Sequence, residues 1–196
     1  MEIRFANKND NKTEMSKLIY GVDPYIYPYW FNGNENEAII TFSKMLSDKN
    51  SIFYYKNCII AKEDGIIKGL LNFIPANNHP SKSYQAYDDN FESHHVIQHY
   101  ILDVIDSLVP NDTCIVGLCV DPRFRRHHIA LNMFKYLLNN VKSETYSLEV
   151  LADNYRAINL YKKYNFEITK TYHGYSGYRK RKPLCHIMKL TRNKKD

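Results

Sequence analysis

The chain has 196 residues, 44% of them hydrophobic, enough for one well-buried core and short for two. A formal charge of +6 and a pI near 9.0 point to an anionic partner, and leave nucleic acid, a membrane surface and a phosphorylated small molecule all open. Cys58, Cys114, Cys119 and Cys185 lack CxxC spacing and stand among apolar residues. They read as reduced core thiols, which argues against a zinc site or a disulfide framework.

Met1 to Tyr20 is polar and lacks an apolar h-region, and no stretch approaches the roughly 18 apolar residues of a membrane span. The expectation is one cytoplasmic domain over residues 1–196, with no membrane partner. Ile3 and Phe5 alternate with Glu2 and Arg4 as in a half-buried strand, and Met15, Leu18 and Ile19 then recur at helical spacing. The segment Tyr20 to Asn34, with two prolines and a dense run of aromatics, predicts a packed loop. A helix follows from about Glu35 to Leu46. Strands over Cys58–Lys62 and Ile66–Phe73 form a hairpin around the turn EDG. Ala76 to Asn90 is polar and turn-rich, and Val96 to Leu108 reads as an amphipathic helix ended by Pro110.

Strand and helix then alternate: a strand over Thr113–Val120, a helix over His128–Val141, a strand over Tyr146–Leu151 and a helix over Tyr155–Tyr164. Phe166–Thr171 and Cys185–Leu190 close the chain as an antiparallel pair. The order predicts an α/β (α+β) fold, a mixed sheet with flanking helices. It also gives the run VDPRFRRHHIALNMF a physical role. A strand entering a tight turn and then a helix presents unsatisfied backbone N–H groups and the positive end of the helix dipole. With Arg125, Arg126, His127 and His128 at the turn, this corner suits an anion, and directed arginine donors favour a diphosphate over a lone carboxylate. A solvated basic helix start is the plainer reading of the same residues.

The run VDPRFRRHHIALNMFKYL resembles the acetyl-CoA-binding motif of the GNAT superfamily of N-acetyltransferases. That motif, Gln/Arg-x-x-Gly-x-Gly/Ala after a strand, is matched by Arg125-Arg126-His127-His128-Ile129-Ala130. Further on, LEVLADNYRAINLYKKYNFE is similar to the same superfamily's next motif. The resemblance implies a mostly antiparallel sheet of about six to seven strands flanked by helices. It also implies acetyl-CoA as co-substrate. The pantetheine arm would lie along main-chain groups of Leu118, Cys119 and Val120, the pyrophosphate on amides from Arg126 to Ala130, and Asn154 beside them. His128 stands where the family has its first glycine.

Acetyl transfer to an amine needs a neutral nucleophile, a stabilised oxyanion and a proton for the leaving thiolate. Tyr161 matches the tyrosine that supplies this proton in many members; otherwise it is a core aromatic. The strand over Thr113–Val120 carries no carboxylate within the family's base position, and Glu149 on the next strand is the candidate base, as in the similar enzymes that acetylate ribosomal-protein N-termini. Asn154 doubles as an ordinary N-cap. Tyr27, Tyr29, Trp30 and Tyr175 lie in loops where the family builds its acceptor groove, and aromatic walls suit an ammonium or a peptide. The implied acceptor is a primary amine of a small molecule or a peptide N-terminus, and a homodimer is allowed.

Three other readings stand beside this one. A protein of the same fold could bind acetyl-CoA without catalysis, a reading supported by His128. A nucleic-acid-binding module would use the basic tail and aromatics, but the basic residues are split between two regions and no compact RNA-reading signature is present. A metal-dependent hydrolase is suggested by His95 and His99 at ligand spacing, but the accompanying glutamate of the zincin motif is missing and no metal is expected.

Overall fold

Successive side chains of a strand point to opposite faces, so near-continuous apolar runs such as Cys58–Ala61 let one sheet bury both faces. The computed structural model describes residues 1–76, 112–174 and 183–192. Its strands are β1 (Glu2–Phe5), β2 (Cys58–Glu63), β3 (Ile66–Ile74), β4 (Asp112–Val120), β5 (Thr145–Leu151), β6 (Glu167–His173) and β7 (Leu184–Thr191). They form a sheet in the order β1-β2-β3-β4-β5-β7-β6, antiparallel throughout except for the parallel pair β4–β5. Helices α1 (Lys12–Tyr20), α2 (Ile26–Trp30) and α3 (Glu35–Ser47) belong to the core that Ile60, Leu70, Ile74, Cys114 and Ile187 share on one face. Helices α4 (Ile129–Asn140) and α5 (Tyr155–Lys162) belong to the core of the other, with Ile59, Leu71, Phe73, Ile115, Leu148, Val150 and Met188. Among the described residues no helix is long and apolar enough to cross a membrane.

Local chemistry starts each helix. Asn11, Asn34 and Asn154 are N-caps whose side chains accept bonds from backbone amides of α1, α3 and α5. The segment from Tyr20 to Asn34 departs from the expected loop, because residues 26–30 form the short helix α2. Pro28 stands in its first turn, where a missing N–H leaves no helical bond unmade. Asp23 Oδ1 accepts from the amides of Tyr25 and Ile26 at 2.8 and 3.0 Å and fixes the entry to that turn. The helix predicted over residues 96–108 lies outside the described residues, as do His95 and His99.

One irregularity shapes the middle of the sheet. In the β3–β4 ladder Asn72 faces Gly117 and Phe73 faces Ile115, so Val116 is an extra residue, a β-bulge. The β4–β5 ladder runs from Asp112↔Thr145 to Ile115↔Leu148 and stops at that residue. From Val116 onward β4 stays with β3, while Glu149, Val150 and Leu151 stay with β7. The two central strands therefore part, and the sheet opens between Val116–Val120 and Glu149–Leu151.

The opening is held by close packing at Gly69 in β3, opposite Val120. A Cβ there would lie 2.9 Å from Met133 Cε and 3.1 Å from Ile129 Cγ2, both on α4. Glycine thus lets the start of α4 rest on the sheet. Gly69→Val should cost about 1–3 kcal/mol through overpacking, seen as a lower urea midpoint with an unchanged slope. An unaltered midpoint would show that α4 is not seated by this contact.

Candidate active site

The turn after β4 is built by Asp121, whose carboxylate accepts from Arg123 N at 2.9 Å and pairs with the Arg123 guanidinium at 2.6 Å. That guanidinium, with the charges around it, holds the Asp121 carboxyl below its usual range. Arg123 is thereby occupied by its own turn. Arg125 instead folds back, its Nε donating to the Val120 carbonyl at 3.1 Å. Backbone φ is +69° at Arg126 and +56° at His128, so both residues sit in the left-handed region.

This corrects the expected helix start. His128 is not the first helical residue but the left-handed N-cap of α4, which begins at Ile129. The position that the resemblance assigns to glycine therefore has positive φ in this chain, and histidine, among the non-glycine residues enriched in that region, occupies it at a cost of about 1–2 kcal/mol.

A cavity of about 670 Å³ lies between the parted β4, the start of α4 and α5. Leu118, Cys119, Val120, Arg125, Arg126, His128, Ile129, Ala130 and Asn154 all line it, while His127 is exposed outside its lining. Arg156 and Lys163 also line it, and no carboxylate does among the described residues. Sequence reading missed Arg156 and Lys163. Their signal is the spacing Arg156, Asn159, Leu160, Lys163, one helical stripe that faces the basic turn. Tyr164 Oη donates to the Leu131 carbonyl at 2.7 Å and ties the end of this stripe to α4.

A second cavity, of about 440 Å³, is lined from β4 by Val116, Gly117 and Leu118 and from β5 by Leu148 to Leu151. Gly117 admits the neighbouring loop, since a Cβ there would lie 3.0 Å from a methyl of Val22. Glu149 and Tyr161 both line this cavity although they belong to opposite faces of the sheet. Leu148 and Val150 share the core with Tyr161, and Glu149 alternates to the other side. Only the parting of β4 and β5 brings them together.

Tyr161 is 8% exposed and packs on Phe134 and Phe166 at ring-centroid distances of 5.7 and 6.1 Å. Burial pushes its hydroxyl up to about 12, so it keeps its proton at neutral pH. It lines both cavities. Glu149 Oε1 accepts from Tyr172 Oη of β6 at 2.7 Å. Tyr172 was not foreseen, because the contact depends on the β6–β7–β5 register, in which Tyr172 faces Cys185 and Cys185 faces Leu151. Burial first, then the charges of Glu149 and Asp23, push the Cys185 thiol up, and burial pushes up Cys119 to about 11. Neither is a ready thiolate.

The aromatic residues divide. Tyr27 and Trp30, 4% and 5% exposed, line the second cavity and pack on each other at 5.6 Å, with Tyr27 edge-on to Phe42 at 5.2 Å. Tyr29, 47% exposed, is outside the lining of both cavities. Tyr175 lies outside the described residues.

The left-handed N-cap yields a direct test. His128→Gly removes the positive-φ strain and returns part of the gain as entropy of the unfolded glycine, for a net stabilisation of about 1 kcal/mol. The same variant should retain or improve acetyl-CoA binding. A large loss of binding would make the imidazole a phosphate ligand.

Residues 22–166 match the family model described as the acetyltransferase (GNAT) family. The chain is 31% identical over 80 residues to the L-amino acid N-acetyltransferase AaaT of Escherichia coli (strain K12), a match covering 39% of this chain and 49% of that protein. It therefore spans about half the length of that relative. A crystal structure of an acetyltransferase superposes over 97% of this chain and 99% of its own, with a TM-score of 0.68 and 19% identity. An N-acetyltransferase from Staphylococcus aureus Mu50 superposes over 97% and 100%, with a TM-score of 0.66 and 16% identity. At these identities the likeness is one of fold.

Proposed function

The chain belongs to the acetyltransferase (GNAT) family, and we propose that it moves the acetyl group of acetyl-CoA to a primary amine by direct attack in a ternary complex. The observation that carries the reading is Tyr161, the buried hydroxyl-bearing ring that lines both the basic cavity and the second one. In this reading acetyl-CoA fills the basic cavity. Its diphosphate meets the amides from Arg126 to Ala130 and the charges of Arg125, Arg126, Arg156 and Lys163. Its extended pantetheine arm adds to the β4 edge at Val116–Val120 as a further strand would. The Val120 carbonyl already accepts from Arg125, and Cys119, two residues before the Asp121 amide that donates to Lys68 of β3, turns its main-chain groups to β3, so Leu118 carries most of that pairing.

The acceptor amine enters from the second cavity. Glu149, steadied by the Tyr172 hydroxyl, takes a proton from the amine as its nitrogen bonds to the acetyl carbon. The carbon–sulfur bond breaks, and the Tyr161 hydroxyl passes its proton to the departing thiolate. The acetylated amine and CoA leave, and the Glu149 proton restores the tyrosine through solvent. The name of the Escherichia coli relative, an amino-acid acetyltransferase, supports a small molecule over a peptide N-terminus.

CoA-thiol release tests these roles. Tyr161→Phe keeps the ring and its packing and should lower kcat by roughly 10²- to 10⁴-fold with acetyl-CoA affinity nearly unchanged. Glu149→Gln should lose most activity at low pH, where the amine is protonated, and recover partly as rising pH supplies neutral amine. Near-native rates in both variants would remove this catalytic pair. A uniform loss across pH in Glu149→Gln would make Glu149 a positioning group.

A further inference from the structure

The opening between β4 and β5 has two sides, and different residues close each. A group that crosses from the basic cavity to the second one passes the residues that line both, which among the described residues are Val22, Leu118, Asn154, Ala157 and Tyr161. Leu118, Ala157 and Tyr161 pack with the core on the α4–α5 face, and the Asn154 side chain accepts from the Ala157 amide at 3.2 Å. Val22 packs with the core of the opposite face. Resting on the acetyl-transfer reading, we propose that Val22 sets the length of the acyl group that the chain takes from CoA, admitting acetyl and turning away propionyl and longer groups.

Two glycine contacts fix Val22 in place. Gly21 caps α1 by donating to the Lys17 carbonyl at 3.0 Å, and the Val22 amide donates to the Ile19 carbonyl at 3.0 Å, so Val22 is held by the helix end. A Cβ on Gly21 would lie 3.2 Å from Cys119 Sγ, and a Cβ on Gly117 would lie 3.0 and 3.2 Å from the two methyl groups of Val22. The segment therefore lies along β4 in step, Gly21 against Cys119 and Val22 against Gly117, each pair brought close by the absence of a side chain on its glycine.

The same distances measure the space open to a ligand. One carbon added beside the Gly117 main chain already meets Val22 inside ordinary van der Waals contact. In the acetyl-transfer reading the thioester sulfur stays with Tyr161 on the α4–α5 face, so the carbonyl carbon leads through the opening and its methyl group points toward the face that Val22 covers. A second carbon on that methyl would have to displace a side chain that is β-branched, restricted at χ1 and backed by the core. Leu118 and Ala157 cannot serve as this stop, since both lie on the side from which the thioester arrives.

Isothermal titration of the full chain with CoA, acetyl-CoA, propionyl-CoA and butyryl-CoA, without an acceptor amine, reads the selectivity as affinity. Free CoA ends at its sulfur and is the reference for each variant. The native chain should bind propionyl-CoA roughly 10- to 200-fold more weakly than acetyl-CoA, the range for one methylene in an apolar site, and butyryl-CoA no better than propionyl-CoA. Val22→Ala should bring propionyl-CoA to within about 3-fold of acetyl-CoA, and Val22→Ile, one carbon longer, should weaken acetyl-CoA relative to CoA by roughly 10-fold. Native affinities for acetyl-CoA and propionyl-CoA that agree within about 3-fold overturn the assignment, as does a Val22→Ala variant that binds CoA and keeps the native ratio. An unchanged ratio of acetyl-CoA to CoA in Val22→Ile overturns it even where Val22→Ala does not fold. Each of these results leaves acetyl transfer standing. Failure of the native chain to bind either CoA or acetyl-CoA overturns the acetyl-transfer reading, and the role of Val22 with it.

Discussion

A single extra residue in β4 organises the centre of this molecule. Strands β4 and β5 begin as a parallel pair, and the ladder would continue if both kept the same neighbours in step. Val116 breaks that step. The bulge turns β4 toward β3 just past Ile115, and the β4 edge from Val116 to Val120 is released from β5. Backbone donors and acceptors in a sheet interior cannot go unpaired without cost, so an exposed edge at the middle of a sheet is either a defect or a place for a ligand. The cationic cavity beside this edge, the left-handed turn that opens α4 and the ring of Tyr161 all converge on it. The same parting lets groups from opposite faces of the sheet, Glu149 and Tyr161, line one space.

At the turn from Arg125 to Ala130 local strain sits where the proposed anion would bind. Two left-handed residues, Arg126 and His128, bend the chain sharply enough to bring amides and basic side chains to one corner. Glycine would take these angles freely. Histidine takes them at some expense of stability, a cost that a bound anion can offset because ligand binding stabilises the folded state by mass action. Asp121 contributes by engaging Arg123, while Arg125 is directed back over the strand end.

How much of this was legible in the sequence follows from how local each feature is. The strand–turn–helix at Thr113–Val141 and the strand–helix at Tyr146–Tyr164 were readable, since periodicity, the basic turn and an asparagine cap all lie within one segment. Helix α2 was not, because Pro28 reads as a breaker unless its place in the first turn is known. The bulge at Val116 is invisible in one strand, being a count of β4 against β3 across the intervening chain. The bond from Tyr172 to Glu149 depends likewise on strands paired through β7. Tyr27, Tyr29 and Trp30 look alike in sequence, and only packing, of Tyr27 on Phe42 and of Trp30 on Tyr27, separates the two buried rings from the exposed one.

The central claim is that the parted edge of β4 and the turn after it form one binding surface. Amide hydrogen exchange reads that surface directly. Adding acetyl-CoA should slow exchange in the peptides spanning Val116–Val120 and Arg126–Ala130 together, with ATP at matched concentration protecting the second segment at most. Unchanged exchange over Val116–Val120 at acetyl-CoA concentrations that protect the turn would contradict the account, since the opening of the sheet would then have no ligand to pair with.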